Sequence, residues 1–97
     1  MPSRILIVED EPAIADTLVY ALKTEGFVPE WRPTGREALA ALAAGSFALV
    51  ILDIGLPDLS GFEVCKQIRA RSAVPVLFLT ARQAEVDRVV GLEIGGD

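Results

Sequence analysis

The feature that most constrains this chain is an uninterrupted apolar run, FALVIL at residues 47–52, which leads directly into Asp53. A glycine and a Leu-Pro turn follow it at residues 55–57. Apolar runs of this length, rich in branched side chains and bounded by turn residues, are typical of strands buried on both faces of a parallel sheet. In such sheets the functional positions lie just beyond the carboxyl ends of the strands. The run therefore predicts a central strand that presents Asp53 at the functional edge of an α/β sheet.

Three further segments have the character of strands. Residues 4–8 and 76–80 are short apolar runs, and residues 27–31 are a weaker candidate because Pro29 interrupts them. A proline cannot donate to a strand ladder, so we expect residues 27–31 to form an edge strand.

Helices are predicted between these strands from their capping signals. Pro12 suits the first helical position, with Asp10 or Glu11 as the cap, and Gly26 suits a left-handed terminator. Two capping boxes, at residues 34–37 and 60–63, begin the second and third helices. A fourth helix, rich in β-branched residues, is expected over residues 85–94.

Four strands that alternate with four helices predict a parallel sheet with right-handed crossovers and helices on both faces. The 97 residues are expected to form one domain, 1–97, without a linker or repeat. The chain stops at Asp97, where a fifth strand is expected, so the fourth strand is predicted to be an apolar sheet edge that invites pairing with another chain.

Composition excludes several classes of function. The net charge of −5 argues against direct binding of nucleic acid by this segment, and the absence of histidine removes histidine-based catalysis. The apolar run near the N-terminus is too short for a signal peptide or membrane span. A lone cysteine, Cys65, fits a reducing cytoplasm. Cys65 and Trp31 are interpreted as packing or exposed residues without a role in the site.

The residues that follow the strands carry the chemistry. Glu9 and Asp10 follow the first strand, Asp53 ends the third, and Thr80 ends the fourth. If those strands are neighbours, three carboxylates converge beside a hydroxyl, and like charges at that separation oppose ionisation unless a cation neutralises them. Hard oxygen ligands with room for water and phosphate describe a Mg²⁺ site, to which Gly55 could add a backbone carbonyl.

The expected chemistry is attack of the Asp53 carboxylate on a phosphoryl group, which gives an acyl phosphate. Mg²⁺ would bridge Asp53 and a phosphoryl oxygen. Thr80 and the Ala81 amide would bind the remaining oxygens.

Three motifs resemble the signature of the response-regulator receiver domain of two-component systems: VEDEP at 8–12, LDIGLPDLSG at 52–61 and PVLFLTAR at 75–82. They span almost the whole chain in the right order. The last segment, residues 87–97, resembles the OmpR/PhoB subfamily of transcriptional regulators, whose members carry a separate C-terminal DNA-binding domain, and the first helix with residues 53–57 looks most like its CreB group.

The resemblance implies a flavodoxin-like (CheY-like), doubly wound sheet with the strand order 2-1-3-4 here, the fifth strand and helix being absent from this chain. It implies that Asp53 accepts a phosphoryl group from a sensor histidine kinase and that Asp10 and Asp53 bind Mg²⁺ directly. Glu9 would act through water, the Gly55 carbonyl would be a ligand, and Thr80 would be the switch hydroxyl. The family's lysine after the fifth strand is also absent, and the fourth-strand edge could support a homodimer or a strand-swapped oligomer.

Alternatives stay open beside this regulatory, non-enzymatic interpretation. A phosphohydrolase of the haloacid-dehalogenase type needs a second aspartate at position 55, which is glycine. A flavin or dinucleotide site after the first strand is disfavoured by the acidic residues 9–11 and by the lack of a G-x-G-x-x-G fingerprint. The main rival is a passive receiver fragment that folds or self-associates but is not efficiently phosphorylated.

Overall fold

A computed structural model of the chain describes residues 2–79, which form four strands and three helices in strict alternation. In chain order these elements are β1 (Arg4–Val8), α1 (Pro12–Thr24), β2 (Val28–Arg32), α2 (Gly35–Ala44), β3 (Leu49–Asp53), α3 (Gly61–Arg69) and β4 (Val76–Leu79). The predicted fourth helix lies outside the described residues. No helix in the described range combines the length and apolar character needed to cross a bilayer.

The four strands form one parallel sheet in the order β2-β1-β3-β4, as predicted. In the register of the central pair, Val8 lies opposite Leu52, and in the next pair Asp53 lies opposite Leu79. The residue after β1 is therefore level with Asp53. This register brings the acidic residues of two neighbouring strands to the same edge of the sheet.

Helices cover both faces of the sheet. One face packs Leu6, Val50 and Leu52 against Val64 and Ile68 of α3, with Ala38 of α2 beside them. The opposite face, with Ile5, Ile51 and Leu79 as its buried residues, packs against Leu18 and Leu22 of α1. Burial of a leucine such as Leu52, which has no exposed surface, contributes roughly 1.5–3 kcal/mol to folding. The core thus fixes the sheet that carries the strand ends.

Strand β2 lies at the edge, which confirms the interpretation of Pro29. The Val28 amide donates to the Ser3 carbonyl at 2.8 Å, so the even-numbered residues of β2 point their backbone groups toward β1. The odd-numbered Pro29 therefore points outward, where its missing N–H costs no ladder bond.

The two predicted capping boxes are present at the starts of α2 and α3. The hydroxyls of Thr34 and Ser60 accept hydrogen bonds from the amides of Glu37 and Glu63, each at 3.1 Å. Gly26 has φ +91°, the left-handed conformation predicted for it.

The prediction for the start of α1 was wrong in one respect. Glu11 occupies the capping position, but neither its side chain nor that of Asp10 makes a capping hydrogen bond. The Glu11 amide donates instead to the carboxylate of Glu9. The side chain that accepts a backbone hydrogen bond at the start of this helix is therefore that of the buried Glu9.

Candidate metal centre at the strand ends

Three carboxylates lie together at the carboxyl edge of the sheet. Glu9 and Asp10 occupy the turn between β1 and α1, and Asp53 is the last residue of β3. One carboxylate oxygen from each lies within 4.8 Å of the other two. The predicted convergence of these acids is confirmed, because parallel neighbours in this register bring their ends to one edge.

Glu9 is the most buried of the three, with 2% of its surface exposed. Its Oε2 accepts a hydrogen bond from the Glu11 amide at 3.0 Å, while its Oε1 is buried and has no hydrogen-bond partner among the described residues. Burial, joined by the negative charges of Asp53 and Asp10, raises the pKa of Glu9 from 4.5 to about 7, although the Glu11 amide acts against that rise.

Asp53 is also buried, with 6% of its surface exposed. Burial is the main cause that raises the pKa of this carboxyl, and the negative charge of Asp10 adds to it. The backbone amides of Gly55 and Ile54 act in the opposite direction, since they stabilise the ionised form. Asp10 differs from both neighbours because it is exposed to solvent.

The donor set fits a hard divalent cation such as Mg²⁺. The three residues offer carboxylate oxygens only, and the site is partly open through Asp10. Glu9 Oε1 is a buried acceptor that lacks a donor in the described part of the chain, and a hydrated cation would supply one. A cation would also remove the mutual repulsion that opposes ionisation of Glu9 and Asp53. These residues therefore fit the ion that the sequence predicted.

The segment after Asp53 is packed closely against the strand end. The Gly61 amide donates to the Ile54 carbonyl at 2.8 Å. A Cβ atom at position 61 would lie 2.4 Å from the backbone oxygen of Asp53, which is far inside normal contact. The turn that leaves the site therefore needs glycine at this position.

Asp58 ties the same segment to α2. Its Oδ1 accepts hydrogen bonds from the amides of Gly35 and Leu59, both at 2.9 Å, and its Oδ2 accepts from the amide of Arg36 at 3.0 Å. Sequence reasoning missed this residue. Its partners at the start of α2 lie 22 and 23 positions away, so no local pattern indicates the contact.

The contact of Trp31 was also missed, because the sequence analysis interpreted this residue as a packing or exposed residue without a role in the site. Its indole Nε1 donates a hydrogen bond to the backbone carbonyl of Glu9 at 2.6 Å. The tryptophan of the edge strand thus contacts the backbone of the acidic turn directly. Thr80 and Ala81, the other predicted site residues, lie outside the described residues, and the role of the Gly55 carbonyl stays a prediction.

The architecture is that of a doubly wound α/β protein with a cluster of three carboxylates at the carboxyl ends of its strands. The chain belongs to the response regulator receiver domain family, whose model matches residues 5–97. The predicted flavodoxin-like, CheY-like fold is confirmed by solved receiver structures with TM-scores near 0.8.

Two curated relatives are transcription or signalling regulators. The transcriptional regulatory protein CreB of Escherichia coli K12 is 54% identical over 94 residues, which are 96% of this chain and 41% of CreB. The sensory transduction protein RegX3 of Mycolicibacterium smegmatis is 50% identical over 93 residues, with the same two shares. The chain therefore spans about two fifths of the length of these relatives. The predicted relationship to OmpR/PhoB-type regulators, CreB among them, is confirmed.

Solved structures of TrrA from Thermotoga maritima are similar to the chain. TrrA in complex with Mg²⁺-BeF has a TM-score of 0.79 and 40% identity, and the match covers 84% of this chain and 71% of TrrA. TrrA in complex with the histidine kinase ThkA has a TM-score of 0.78 and 39% identity, covering 88% and 75% of the two chains.

Proposed function

We propose that this chain is a phosphorylatable receiver module that accepts a phosphoryl group on Asp53 from a sensor histidine kinase. The observation that carries the proposal is the convergence of the Glu9, Asp10 and Asp53 carboxylates within 4.8 Å at the carboxyl edge of the sheet. A structural cap or turn former does not need two buried acids and a third beside them, since their repulsion costs stability.

In this proposal Asp10 and Asp53 bind Mg²⁺ directly, Glu9 acts through a water molecule, and the Gly55 carbonyl completes the set. Support comes from the buried, partnerless Oε1 of Glu9 and from the similar TrrA structure in complex with Mg²⁺-BeF. When bound, Mg²⁺ supplies positive charge that favours the ionised carboxylates and the phosphoryl oxygens. We assign the remaining phosphoryl contacts to the Thr80 hydroxyl and the Ala81 amide, as the family resemblance implies.

The transfer is a substitution at phosphorus. An oxygen of the Asp53 carboxylate forms the new O–P bond while the bond from phosphorus to the histidine nitrogen of the kinase breaks, and the electron pair stays on that nitrogen. Only the ionised carboxylate is a competent nucleophile, and its burial opposes ionisation. The site is therefore expected to depend on the cation for the charge state of Asp53 as well as for positioning.

The same comparisons support a proposal for the partner and the cellular setting. A histidine kinase is the proposed donor because TrrA is similar in fold and is solved in complex with one. We propose that the module, residues 1–97, acts in the cytoplasm, as expected of a two-component regulator, and that it makes no nucleic-acid contact itself, given its net charge of −5.

The test is phosphorylation by a small donor. The chain is incubated with Mg²⁺ and acetyl phosphate, and the intact mass is measured; we expect one added phosphoryl group. Asp53→Asn and omission of Mg²⁺ should each abolish the gain. Asp16→Asn, the same change at an exposed position of α1, should leave it intact. A gain that survives in Asp53→Asn would contradict the assignment.

A passive module is the second candidate, favoured by the position of β4. Among the described strands β4 is a sheet edge composed of apolar residues, and such edges can pair with a second copy to give a homodimer or a strand-swapped oligomer. In the same experiment this candidate predicts no mass gain in a folded protein. It also predicts a sedimentation coefficient that rises with protein concentration.

A further inference from the structure

Strand β2 holds the backbone of Glu9 from both ends of the residue. The Glu9 amide donates to the Arg32 carbonyl at 3.2 Å, and the Glu9 carbonyl accepts from Trp31 Nε1 at 2.6 Å. The first bond continues the strand ladder and would form with any side chain at position 32. The second needs a side chain at position 31 that can reach across to β1 and donate.

The bond from Trp31 acts on the peptide unit that joins the two acids of the turn. The carbonyl of Glu9 and the amide nitrogen of Asp10 belong to one planar peptide group. When the oxygen of that group is held, the orientation of the whole plane is held. The Cα atom of Asp10 belongs to the same plane, so its position is defined as well.

Asp10 needs such support more than its two neighbours do. Glu9 and Asp53 are fixed by burial, with 2% and 6% of their surfaces exposed, whereas Asp10 is exposed and follows the last residue of the strand ladder. Its carboxylate nevertheless lies within 4.8 Å of the other two. The Trp31 donor on the preceding carbonyl limits rotation of this turn, together with the Glu11 amide that donates to the Glu9 carboxylate.

We infer that Trp31 is a positioning residue for the cation site, whose indole N–H fixes the Glu9–Asp10 peptide so that the Asp10 carboxylate remains within reach of the metal. This inference rests on the proposed Mg²⁺ site. Residues that orient metal ligands change metal affinity by about 10–100-fold when they are removed. Because Trp31 acts on backbone and not on a ligand atom, we expect the lower end, a loss of about 10-fold.

The same hydrogen bond makes Trp31 a fluorescent reporter of Mg²⁺ binding. It is the sole tryptophan in the sequence, and its indole hydrogen bonds to the backbone between two of the acids. Titration of the native chain with Mg²⁺ is expected to change its emission. The change should disappear in Asp10→Asn, which keeps the tryptophan and removes a ligand charge.

The experiment compares Mg²⁺ affinity, by isothermal titration calorimetry, in the native chain and in Trp31→Phe. Phenylalanine keeps an aromatic face and removes the donor, so the dissociation constant should rise about 10-fold. Tyr20→Phe, a loss of a polar aromatic group on the exposed side of α1, should leave it unchanged. The ¹⁵N resonance of the Asp10 amide in the metal-free chain should shift in Trp31→Phe alone, because that nitrogen shares the held peptide group.

A second replacement separates the hydrogen bond from packing. Benzothienylalanine at position 31 has the shape of tryptophan but no N–H, and it should weaken Mg²⁺ binding as Trp31→Phe does. Native affinity in that protein, or in a folded Trp31→Phe, would overturn the inference. Failure of the proposed function looks different: the native chain would then bind no Mg²⁺, or Asp10→Asn would bind it equally well.

Discussion

Asp58 accepts a hydrogen bond from the backbone amide of Gly35, with 2.9 Å between Oδ1 and the nitrogen. One carboxylate in the loop after β3 thus binds the free amides at the start of α2, where the helix dipole also favours a negative charge. The loop that leaves Asp53 is therefore anchored to a second element of the fold. The position of this loop therefore depends on α2 as well as on the loop's own residues.

Removal of this anchor should destabilise the domain. Partial desolvation acts to raise the pKa of Asp58, but the amides of Gly35, Arg36 and Leu59 outweigh it and hold that pKa below its usual value of 3.8. A lowered pKa contributes stability that is present above the usual value and is lost as pH falls through the lowered one. We expect Asp58→Ala to lower the melting temperature at pH 7, with a smaller difference from the native chain at pH 3.

Asp16→Ala is the matched control for this measurement, because Asp16 is an exposed acid within α1. Thermal unfolding, monitored by circular dichroism, gives the melting temperatures of both variants. Equal melting temperatures of Asp58→Ala and the native chain at pH 7 would refute the anchoring role.

The acidic site predicts an unusual dependence of stability on pH in the absence of metal. Glu9 has a folded-state pKa of about 7 against 4.5 when unperturbed, so the folded chain binds more protons between these values. Stability must therefore fall as pH rises from about 4.5 to about 7, by an amount on the order of 3 kcal/mol from Glu9. The raised pKa of Asp53 acts in the same direction.

Glu9→Gln should flatten much of this dependence, because glutamine carries no charge to bury. Denaturant unfolding in EDTA at pH 5 and pH 8 measures it, with Glu25→Gln as an exposed control. Saturating Mg²⁺ should restore stability to the native chain at pH 8, since a ligand of the folded state stabilises it. If metal-free stability rose from pH 5 to pH 8, the burial of an uncompensated Glu9 would be disproved.

The close packing around Gly61 predicts that one added methyl group at this position lowers the stability of the domain. A Cβ there would lie 2.4 Å from the Asp53 backbone oxygen and 2.7 Å from the Ile54 Cα, both of them backbone atoms that cannot yield cheaply. We expect Gly61→Ala to cost about 1–3 kcal/mol of stability in denaturant unfolding. At Gly55 a Cβ would meet nothing within 4 Å, so Gly55→Ala serves as the control and should be tolerated.

The outward proline of β2 predicts an effect on association. Pro29→Val would supply an N–H on the free side of the edge strand together with a side chain that favours strands. We expect this variant to sediment faster as its concentration rises, beyond the behaviour of the native chain. Pro2→Val, a change at an exposed position before β1, should not have this effect. Identical sedimentation of Pro29→Val and the native chain would mean that Pro29 does not protect the edge.

Much of the fold was predictable because its signals are local. The strand predicted at residues 4–8 is present with the same bounds, and the apolar run that leads into Asp53 forms a strand over Leu49–Asp53, since a strand buried on both faces needs continuous apolar side chains. Thr34 and Ser60 cap the amides that their spacing predicted. The interruption at Pro29 correctly indicated an edge strand, because only an edge tolerates the missing donor.

For the candidate site, the sequence predicted only that three carboxylates lie close together. Glu9, Asp10 and Asp53 each follow an apolar run, so parallel pairing of those runs brings them together. The sequence by itself determined which residues could form the strands, the caps and the acidic edge. It did so because these properties depend on the identity of near neighbours.

Only the tertiary structure decided how the acids differ and what supports them. The neighbouring acids Glu9 and Asp10 have opposite burial, since one follows the strand inward and the other faces solvent. The contacts of Asp58 with α2 and of Trp31 with Glu9 join residues 22 or 23 positions apart. Such pairs depend on strand register and helix placement, which are set by packing of the whole core and not by any local pattern.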